Sequence, residues 1–243
     1  MLLILVGACG FMPQSGEVQP DAQAGSGSSV TPAPMTIDAA ALASCHSQLP
    51  GVVLCLDFED STLDPIAHDS SSGDHDAMTS NVTAIPRGAQ QAAMVTGNST
   101  ITVPESSALD LSGPLSIELW IEAPASDQDD VIFQHDNGFG IDFNHAPGCF
   151  VNDSADIWAP SPLAAGWHHV ACTWDGSTIH TYVDGAIVAC AGMHSSLQPR
   201  SARVEISTPF SGSVDDIHLY NRALEPPEVQ LLAGTISTAV TCP

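Results

Sequence analysis

The alternation of apolar and polar residues is strongest in one run of the second half of the chain, WHHVACTWDGSTIHTYVDG. His168 to Trp174 alternates with a period of two, which is typical of a strand with one buried face. Asp175-Gly176-Ser177 then supplies turn residues, and Thr178 to Asp184 alternates again. Asp184-Gly185 is a second turn signal before the short apolar run Ala186 to Cys190. The run therefore predicts a β-hairpin followed by a third strand.

Two earlier segments, Val52 to Glu59 and Leu115 to Glu122, show the same period of two. In these two strands and in the first strand of the hairpin, the apolar residues share one face. They are Leu54, Leu56, Phe58, Ile117, Leu119, Ile121, Val170, Cys172 and Trp174. The pattern places on the opposite face Glu118, Trp120, Glu122, His169, Ala171 and Thr173. Each strand is therefore predicted to bury one side in a core.

Shorter strand signals recur along the rest of the chain, and Gly or Pro separates nearly all of them. They cover residues 92–95, 99–103, 131–135, 139–143, 148–152 and 212–224. Pro226 and Pro227 suit the start of a helix of one or two turns that ends near Leu232. Short strands at this spacing predict an all-β sandwich or barrel.

The composition supports one folded domain and excludes one class of partner. Hydrophobic residues make up 44% of the 243 residues, and 19 Gly with 18 Pro supply many turn positions. The chain has 28 acidic residues, four Arg, no Lys and a formal net charge of -24. Clustered Lys and Arg are needed to bind a phosphate backbone, so we expect no nucleic-acid partner. The acidic excess suits divalent cations or a saline environment, and solubility alone also explains it.

The first residues, MLLILVGAC, resemble the signal sequence of a bacterial lipoprotein. A short apolar run ends in Val6-Gly7-Ala8, so residues 1–8 are expected to be cleaved and Cys9 to carry the lipid. The run has no basic residue before it and is short, which a start site placed too far downstream would explain. The alternative is an ordinary signal peptide with Cys9 unlipidated. Both alternatives predict an exported protein, anchored on the outer surface or in the periplasm if lipidated and secreted if not.

Residues 9–44 are rich in Gly, Ser and Pro and are expected to form a flexible tether, with the folded domain at 45–243. No Cys-x-x-Cys pair is present, which argues against a thiolate zinc site. In an exported chain, the six cysteines of the domain predict three disulfides. They are Cys45, Cys55, Cys149, Cys172, Cys190 and Cys242. The pair Cys45–Cys55 would close a short loop, and the pairing of the other four is left open.

Five pieces of the chain, in order, resemble a known family. They are VVLCLDFED, HDSSSGDHDA, GAQQAAMVTGNSTITVPESSALDLSGPLSIELWI, WHHVACTWDGSTIHTYVDG and GSVDDIHLYNRALEPPEV. Together, over residues 45–234, they are similar to the laminin G-like, concanavalin A-like lectin-glucanase jelly-roll domain of bacterial surface and secreted proteins. The resemblance implies an all-β sandwich of two antiparallel sheets with at most one or two helical turns. It also implies recognition of carbohydrates or proteins, although some relatives are glycoside hydrolases or polysaccharide lyases.

The resemblance further implies a calcium site where the loop after the first strand meets the last strand. Oxygen atoms are the ligands that calcium prefers, and the chain has no EF-hand pattern. The alternative is that the acidic residues there cap turns and strand ends. The matching positions are Asp69, the backbone around Gly73, and Asp215 or Asp216, with Asp57, Glu59 and Asp74 as additional candidates.

The sequence gives little support for a catalytic function. Glu118 and Glu122 lie four residues apart on one strand face, about 13 Å at the rise of a strand. Glycosidase carboxylates stand about 5 to 9 Å apart, so we expect two exposed acids beside a packed Trp120. Zinc binding is also disfavoured, because His168 and His169 point to opposite faces. These two histidines and His180 are expected to be structural.

Trp158 is the one Trp outside a position typical of the family, and it is the candidate for ligand binding. A Trp tucked under the edge of the sandwich is the alternative. We therefore predict a non-catalytic surface module that binds a glycan or a surface protein with the help of calcium, and that contacts the membrane only through its lipid anchor. A glycan-active hydrolase or lyase and a purely structural module are the alternatives. Ligand identity and oligomeric state are left open.

Overall fold

The computed structural model describes residues 49–122, 130–152, 154, 156–192, 196–235 and 242. Among them it contains sixteen strands and one helix. In chain order these are β1 (Val52–Leu56), β2 (Ile66–Ala67), β3 (Ala77–Ser80), β4 (Thr83–Arg87), β5 (Gln90–Val95), β6 (Thr100–Val103), β7 (Leu115–Glu122), β8 (Asp130–His135), β9 (Phe139–Asn144), β10 (Ala146–Val151), β11 (Ile157–Trp158), β12 (Trp167–Trp174), β13 (Thr178–Val183), β14 (Ala186–Gly192), β15 (Val204–Thr208), β16 (Gly212–Tyr220) and α1 (Pro226–Leu232).

The strands form two antiparallel sheets, as predicted for a jelly-roll sandwich. Sheet A has the order β14-β13-β12-β7-β16-β5-β4, with β1 paired to β16. Sheet B has the order β11-β10-β9-β8-β15-β6-β3-β2. Neighbours in both sheets come from distant parts of the chain, so β7 and β16, which are about 100 residues apart in sequence, lie side by side at the centre of sheet A. This pairing brings residues from the middle and from the last part of the domain into one surface.

The core lies between the two sheets and contains the residues that the alternation assigns to it. The nine apolar residues predicted for the buried faces of the strands at 52–59, 115–122 and 168–174 are each at most 3% exposed, and Phe58 among them lies just past the end of β1. Sheet B contributes Ile101, Val103, Ile132, Phe133, Ile141, Phe143, Val204 and Ile206. Because successive strand residues point to opposite sides, the polar positions between them face outward from the sandwich.

The predicted strands are confirmed, with shifts of one or two residues at most of their ends and an earlier end to the last strand. The turn between β12 and β13 is also confirmed, because Asp175 Oδ1 accepts hydrogen bonds from the backbone N–H groups of Ser177 and Thr178, both at 2.7 Å. The sequence pattern missed five strands: β2, β3, β4, β11 and β15. Two of these have only two residues, too few to show a period.

The helix α1 covers one end of the outer face of sheet A. It begins at Pro226, as predicted, and Glu228 accepts a hydrogen bond from the Glu225 N–H at 2.8 Å. Arg222 binds both carboxylate oxygens of Glu228, at 2.7 and 2.8 Å. A second apolar cluster joins the helix to the sheet and comprises Ala171, Tyr182, Ile187, Tyr220, Leu224 and, from the helix, Val229. The rest of this outer face is polar and is described below.

Two disulfides join parts of the chain that are far apart in sequence. Cys149 of β10 pairs with Cys172 of β12, and therefore links sheet B to sheet A. Cys190 of β14 pairs with Cys242. Cys55 is also in a disulfide, and its predicted partner Cys45 lies outside the described residues, as do Cys9 and the predicted signal and tether. Disulfides of this kind fit an exported protein.

Within the described residues, the protein has no helix with both the length and the hydropathy needed to cross a membrane.

Candidate functional site

An exposed aromatic ring lies on the outer face of sheet B. Val131, Asp142, Gly148 and Trp158 are successive cross-strand partners on β8, β9, β10 and β11, and their side chains therefore share one face of the sheet. A Cβ atom at Gly148 would lie 2.6 Å from a carbon of the Trp158 ring. The ring thus rests directly on the glycine backbone, and Trp158 remains 36% exposed. This packing holds the ring in place while it leaves part of its surface open to a ligand.

The ring borders a groove, which we call the Trp158 groove, with a volume of about 480 Å³. The groove is lined by Trp158, Val131, Asp130, Asp142, Asn144 and Asp156. Asp130 is 5% exposed, whereas Asp142 and Asp156 are half-buried and Asn144 is exposed. The Asn144 side-chain oxygen lies 2.9 Å from Nδ1 of His145. The groove therefore combines an aromatic surface with polar groups that could orient a ligand, and it is more polar than most small-molecule sites.

Trp158 was the candidate for ligand binding on sequence grounds, and the acids beside it were missed. The sequence pattern does contain evidence for two of the polar residues that line the groove. Ile141 and Phe143 point into the core, so Asp142 and Asn144 must point outward. What the sequence pattern lacks is the pairing of β9 with β10 and of β10 with β11, which brings these residues next to Trp158.

A second polar group of residues, the charged cluster, lies on the outer face of sheet A. Glu118 of β7 is 1% exposed and is bound by two histidines. His169 Nε2 lies 2.8 Å from Glu118 Oε2, and His218 Nδ1 is paired with the other carboxylate oxygen. His169 and His218 belong to the two strands that flank β7, so the sheet register brings all three side chains together.

Arg87 completes the charged cluster at the end of β4. Its Nη1 donates to Asp215 Oδ2 at 2.6 Å and to Asp216 Oδ2 at 2.9 Å. A β-bulge in β16 after Asp215, with Asp216 at a positive φ of 47°, turns both carboxylates outward to the same guanidinium. The guanidinium carbon also lies 4.4 Å from the ring centre of Trp120 and 4.9 Å from that of Trp167. Arg87 is thus held by two carboxylates and two aromatic rings.

The pKa values in the charged cluster follow from burial and from the neighbouring charges. Burial alone would raise the pKa of Glu118, but His218 and His169 outweigh it and lower that pKa to about 2. Burial would lower the pKa of His218, yet Glu118 raises it above its ordinary value. Burial and the charge of Asp216 raise the pKa of Asp215, and Arg87 offsets part of that rise. Burial also raises the pKa of Asp216, and His218 and Arg87 offset part of that rise. Cations and anions in the cluster therefore compensate one another.

A cavity of about 300 Å³ lies beside the charged cluster. Its wall includes Arg87, Glu118, Trp120, Asp216 and His218, together with residues 231–234 at the end of α1. The charged atoms on this wall bind mainly to one another, which is the arrangement of an ion-pair network that stabilises the sheet face.

The structure corrects the expectation that Glu118 and Glu122 are two exposed acids. Glu118 is buried and bound by two histidines, whereas Glu122 is half-buried. Pattern alone could not show this, because the histidines come from strands whose pairing the alternation does not specify. The expected structural role of His169 fits its hydrogen bond to Glu118. His168 lies on the other side and binds Asp184 at 2.8 Å.

The candidate calcium ligands are divided between two places. Both carboxylate oxygens of Asp69 already accept two hydrogen bonds each, from the N–H groups of Cys55, Ser71 and His75 and from the Ser71 hydroxyl, at 2.8 to 2.9 Å. Asp215 and Asp216 bind Arg87, as described above. Within the described ranges no three His, Cys, Asp or Glu side chains are close enough to share a metal ion.

The other calcium candidates are also engaged or stand apart. Asp57 accepts hydrogen bonds from the Ser70 hydroxyl at 2.9 Å and from the Glu59 N–H at 3.4 Å. Glu59 accepts from the Gln91 N–H at 2.9 Å, and Asp74 is exposed. The Gly73 N–H donates to the Ser71 hydroxyl at 3.0 Å. These side chains therefore do not fit a calcium site as they are arranged, and a titration with calcium is the test of the calcium site expected from the sequence.

The fold and these surfaces define a lectin-like jelly-roll sandwich. A family model described as the concanavalin A-like lectin/glucanases superfamily matches residues 95–230, which is more than half of the chain. The chain belongs to this superfamily. Comparison with curated protein sequences gave no significant match.

Three solved structures show the same fold at low sequence identity. Domain 4 of AbnA, a GH43 extracellular arabinanase from Geobacillus stearothermophilus solved with arabinotriose, has a TM-score of 0.64 at 18% identity and covers 75% of this chain and 98% of that one. A structure of botulinum neurotoxin type C, a toxin whose cell entry is dependent upon interaction with two ganglioside molecules, has a TM-score of 0.60 at 13% identity. The match covers 76% of this chain and 51% of the toxin chain. Trypanosoma rangeli sialidase with the inhibitor DANA has a TM-score of 0.59 at 16% identity and covers 75% and 32%. The chain thus spans about half of the toxin chain and a third of the sialidase chain.

Proposed function

We propose that this protein is an exported, non-catalytic module that binds carbohydrate in the Trp158 groove. The observation that carries the proposal is the Trp158 ring, which is fixed on Gly148 and remains partly exposed beside a row of polar side chains. An aromatic ring offers a flat apolar surface to the C–H groups of a sugar, and the neighbouring carboxylates and amide can accept hydrogen bonds from its hydroxyls. The family and the sugar-bound structural neighbour support this class of ligand.

The proposed non-catalytic role is supported by the state of the acids in the charged cluster. Glycoside hydrolysis needs one carboxylic acid that donates a proton and one free carboxylate across the sugar from it. Glu118 is held by two histidines, and Asp215 and Asp216 are held by Arg87. In this arrangement each acid of the charged cluster already has a partner within the protein.

We also propose that Cys9 carries a lipid anchor, which mass spectrometry of the mature N-terminus would test.

A glycan array followed by calorimetric titration tests the proposed function. We expect the whole mature protein to bind one class of glycan on the array, and Trp158→Ala to weaken binding of the best oligosaccharide about 30-fold, the cost of truncating an aromatic anchor. Trp158→Phe should retain part of the affinity, because it keeps a ring on Gly148. A protein that binds no glycan, or that binds equally well after Trp158→Ala, would refute the proposal. Release of reducing sugar from pooled polysaccharides would favour the hydrolase alternative instead.

A further inference from the structure

A second groove lies on the same outer face of sheet B as the Trp158 groove. We call it the Met78 groove; it has a volume of about 650 Å³, and its lining includes Met78 of β3, Thr102 of β6, Gln134 of β8 and Glu205 of β15. We propose that one linear glycan chain binds across both grooves, so that the protein recognises an internal stretch of a long polysaccharide and not a short terminal sugar. This inference rests on the proposed function and names the kind of carbohydrate that this face takes.

The strand register places these four residues of the Met78 groove in one row. They are successive cross-strand partners, in the order Met78, Thr102, Glu205 and Gln134. Gln134 also pairs with Gly140 of β9, which lies two residues before Asp142 of the Trp158 groove. Because residues two apart on a strand share a face, the row lies on the face that carries Trp158.

A bulge in β8 brings the two grooves together. Val131 lines the Trp158 groove and Gln134 lines the Met78 groove, although residues three apart on a regular strand point to opposite faces. The pairing with β9 shifts between Val131 and Phe133, so that Val131 opposes Asp142 while Gln134 opposes Gly140. The extra residue turns Gln134 to the same face as Val131. The two grooves therefore adjoin along one strand and form one strip across the sheet.

The strip is long enough for a chain of several sugars. Trp158 belongs to β11 and Met78 to β3, and the strand order β11-β10-β9-β8-β15-β6-β3 puts six spacings between them. At about 4.8 Å for each spacing, the two residues stand about 29 Å apart along the sheet. A single sugar ring on Trp158 would leave most of this strip without a contact.

The strip reaches both edges of sheet B. Trp158 belongs to one edge strand, β11, and Met78 pairs with Ile66 of the other edge strand, β2. Met78 is 56% exposed and Ile66 is 42% exposed, so this end of the strip offers an apolar surface, as Trp158 does at the other end. Because the side chains at both edges are open to solvent, a chain can continue past the sheet in both directions. Binding to an internal stretch of a polysaccharide requires this.

The middle of the strip is polar and is ordered by its own hydrogen bonds. Gln134 Nε2 donates to Glu205 Oε2 at 2.7 Å, and Arg203 Nε donates to Glu205 Oε1 at 2.7 Å. Glu205 thus holds an amide and an exposed guanidinium side by side. Side chains that are already held in place lose less conformational entropy when they bind sugar hydroxyls. Apolar contacts at both ends with ordered polar groups between them suit the C–H and hydroxyl groups of a glycan chain.

Calorimetric titration of the whole mature protein with oligosaccharides of increasing length tests this inference. The probes are cello-, xylo- and arabino-oligosaccharides, each as a dimer, a trimer and a hexamer. If another linear glycan binds best on the array, its own length series is added. We expect the hexamer of the bound series to bind at least about tenfold more tightly than the trimer, because only the hexamer spans the strip from Trp158 to Met78.

Substitutions at the two ends of the strip separate their contributions. Met78→Ala should weaken binding of the hexamer about fivefold and leave the dimer and the trimer unchanged, since it removes an apolar contact that only the longer chain reaches. Trp158→Ala should weaken binding of all three lengths. Met94→Ala is the matched control, because Met94 is also an exposed strand methionine but belongs to sheet A, and it should change none of the affinities.

The outcomes separate this inference from the proposed function. A hexamer that binds no more tightly than the trimer, or whose binding is unchanged by Met78→Ala, would overturn the inference and leave carbohydrate binding at Trp158 in place. A glycan array on which only short terminal sugars bind would overturn it in the same way. Absence of binding to every glycan on the array would overturn both.

Discussion

Glu118→Gln should be the most damaging conservative substitution on the outer face of sheet A. The change keeps the size of the side chain and removes its charge. Glu118 is 1% exposed and pairs with His169 and His218, so the variant leaves the buried His218 without its anionic partner. Breaking a buried ion pair by removing one member is strongly destabilising, since the remaining charge stays desolvated.

The magnitude follows from the pKa of Glu118, which falls from 4.5 for an exposed glutamate to about 2 in the folded protein. A shift of this size corresponds to about 3 kcal/mol of stability. Because the folded pKa is the lower one, this stability is present above pH 4.5 and is lost as the pH falls towards 2. We therefore expect Glu118→Gln to lower the free energy of unfolding at neutral pH by about 3 kcal/mol.

Guanidinium denaturation at neutral pH, with the disulfides intact and followed by tryptophan fluorescence, measures this free energy. Glu122→Gln is the matched control, because Glu122 lies on the same strand face and should change stability by no more than about 0.5 kcal/mol. Repeating the series towards pH 2 should show that the wild type loses more stability on acidification than Glu118→Gln. A variant within about 1 kcal/mol of the wild type, or an unchanged acid profile, would refute the assignment of the charged cluster as a stabilising network.

Two further predictions concern Arg87 and calcium. Arg87→Met should cost about 3 kcal/mol at alkaline pH, where Asp215 and Asp216 are both ionised and the variant leaves two buried carboxylates without their counter-charge. The pKa values of Asp215 and Asp216 are already raised, so the deficit should be small at low pH and grow as the pH rises; a deficit in melting temperature that is independent of pH would contradict this. Calcium should leave the melting temperature unchanged, since a calcium ion at Asp69 would have to replace four hydrogen bonds. A rise in melting temperature with calcium, reversed by chelator, would instead support the site predicted from the sequence.

The sandwich was predictable because its long strands alternate cleanly. In β7, and in β12 from Val170 onward, every second residue is apolar and lies in the core between the sheets, although the residues between them are also largely buried. Strand β4 was missed because its five residues, TAIPR, include a proline and show no burial alternation. The helix α1 was found from its two prolines, whose fixed φ angles suit a helix start.

The sites were less predictable, because they depend on which strands pair. The alternation assigns Glu118 and His169 to outward faces, but only the register places His169 and His218 on either side of Glu118. Arg87 is about 130 residues away in sequence from the carboxylates that it binds. For the Trp158 groove, the position of the ring over Gly148 follows from a two-residue strand that has no period to detect. Long-range pairing of this kind leaves no local signal in the sequence.

A crystal structure of the protein with the oligosaccharide that it binds best would test the central claim most directly. We predict a sugar ring stacked on the exposed side of Trp158, with its hydroxyl groups within hydrogen-bond distance of Asp142, Asn144 or Asp156. A sugar bound in the cavity beside Arg87 and Glu118, with no contact to Trp158, would contradict the claim and place the binding site on sheet A.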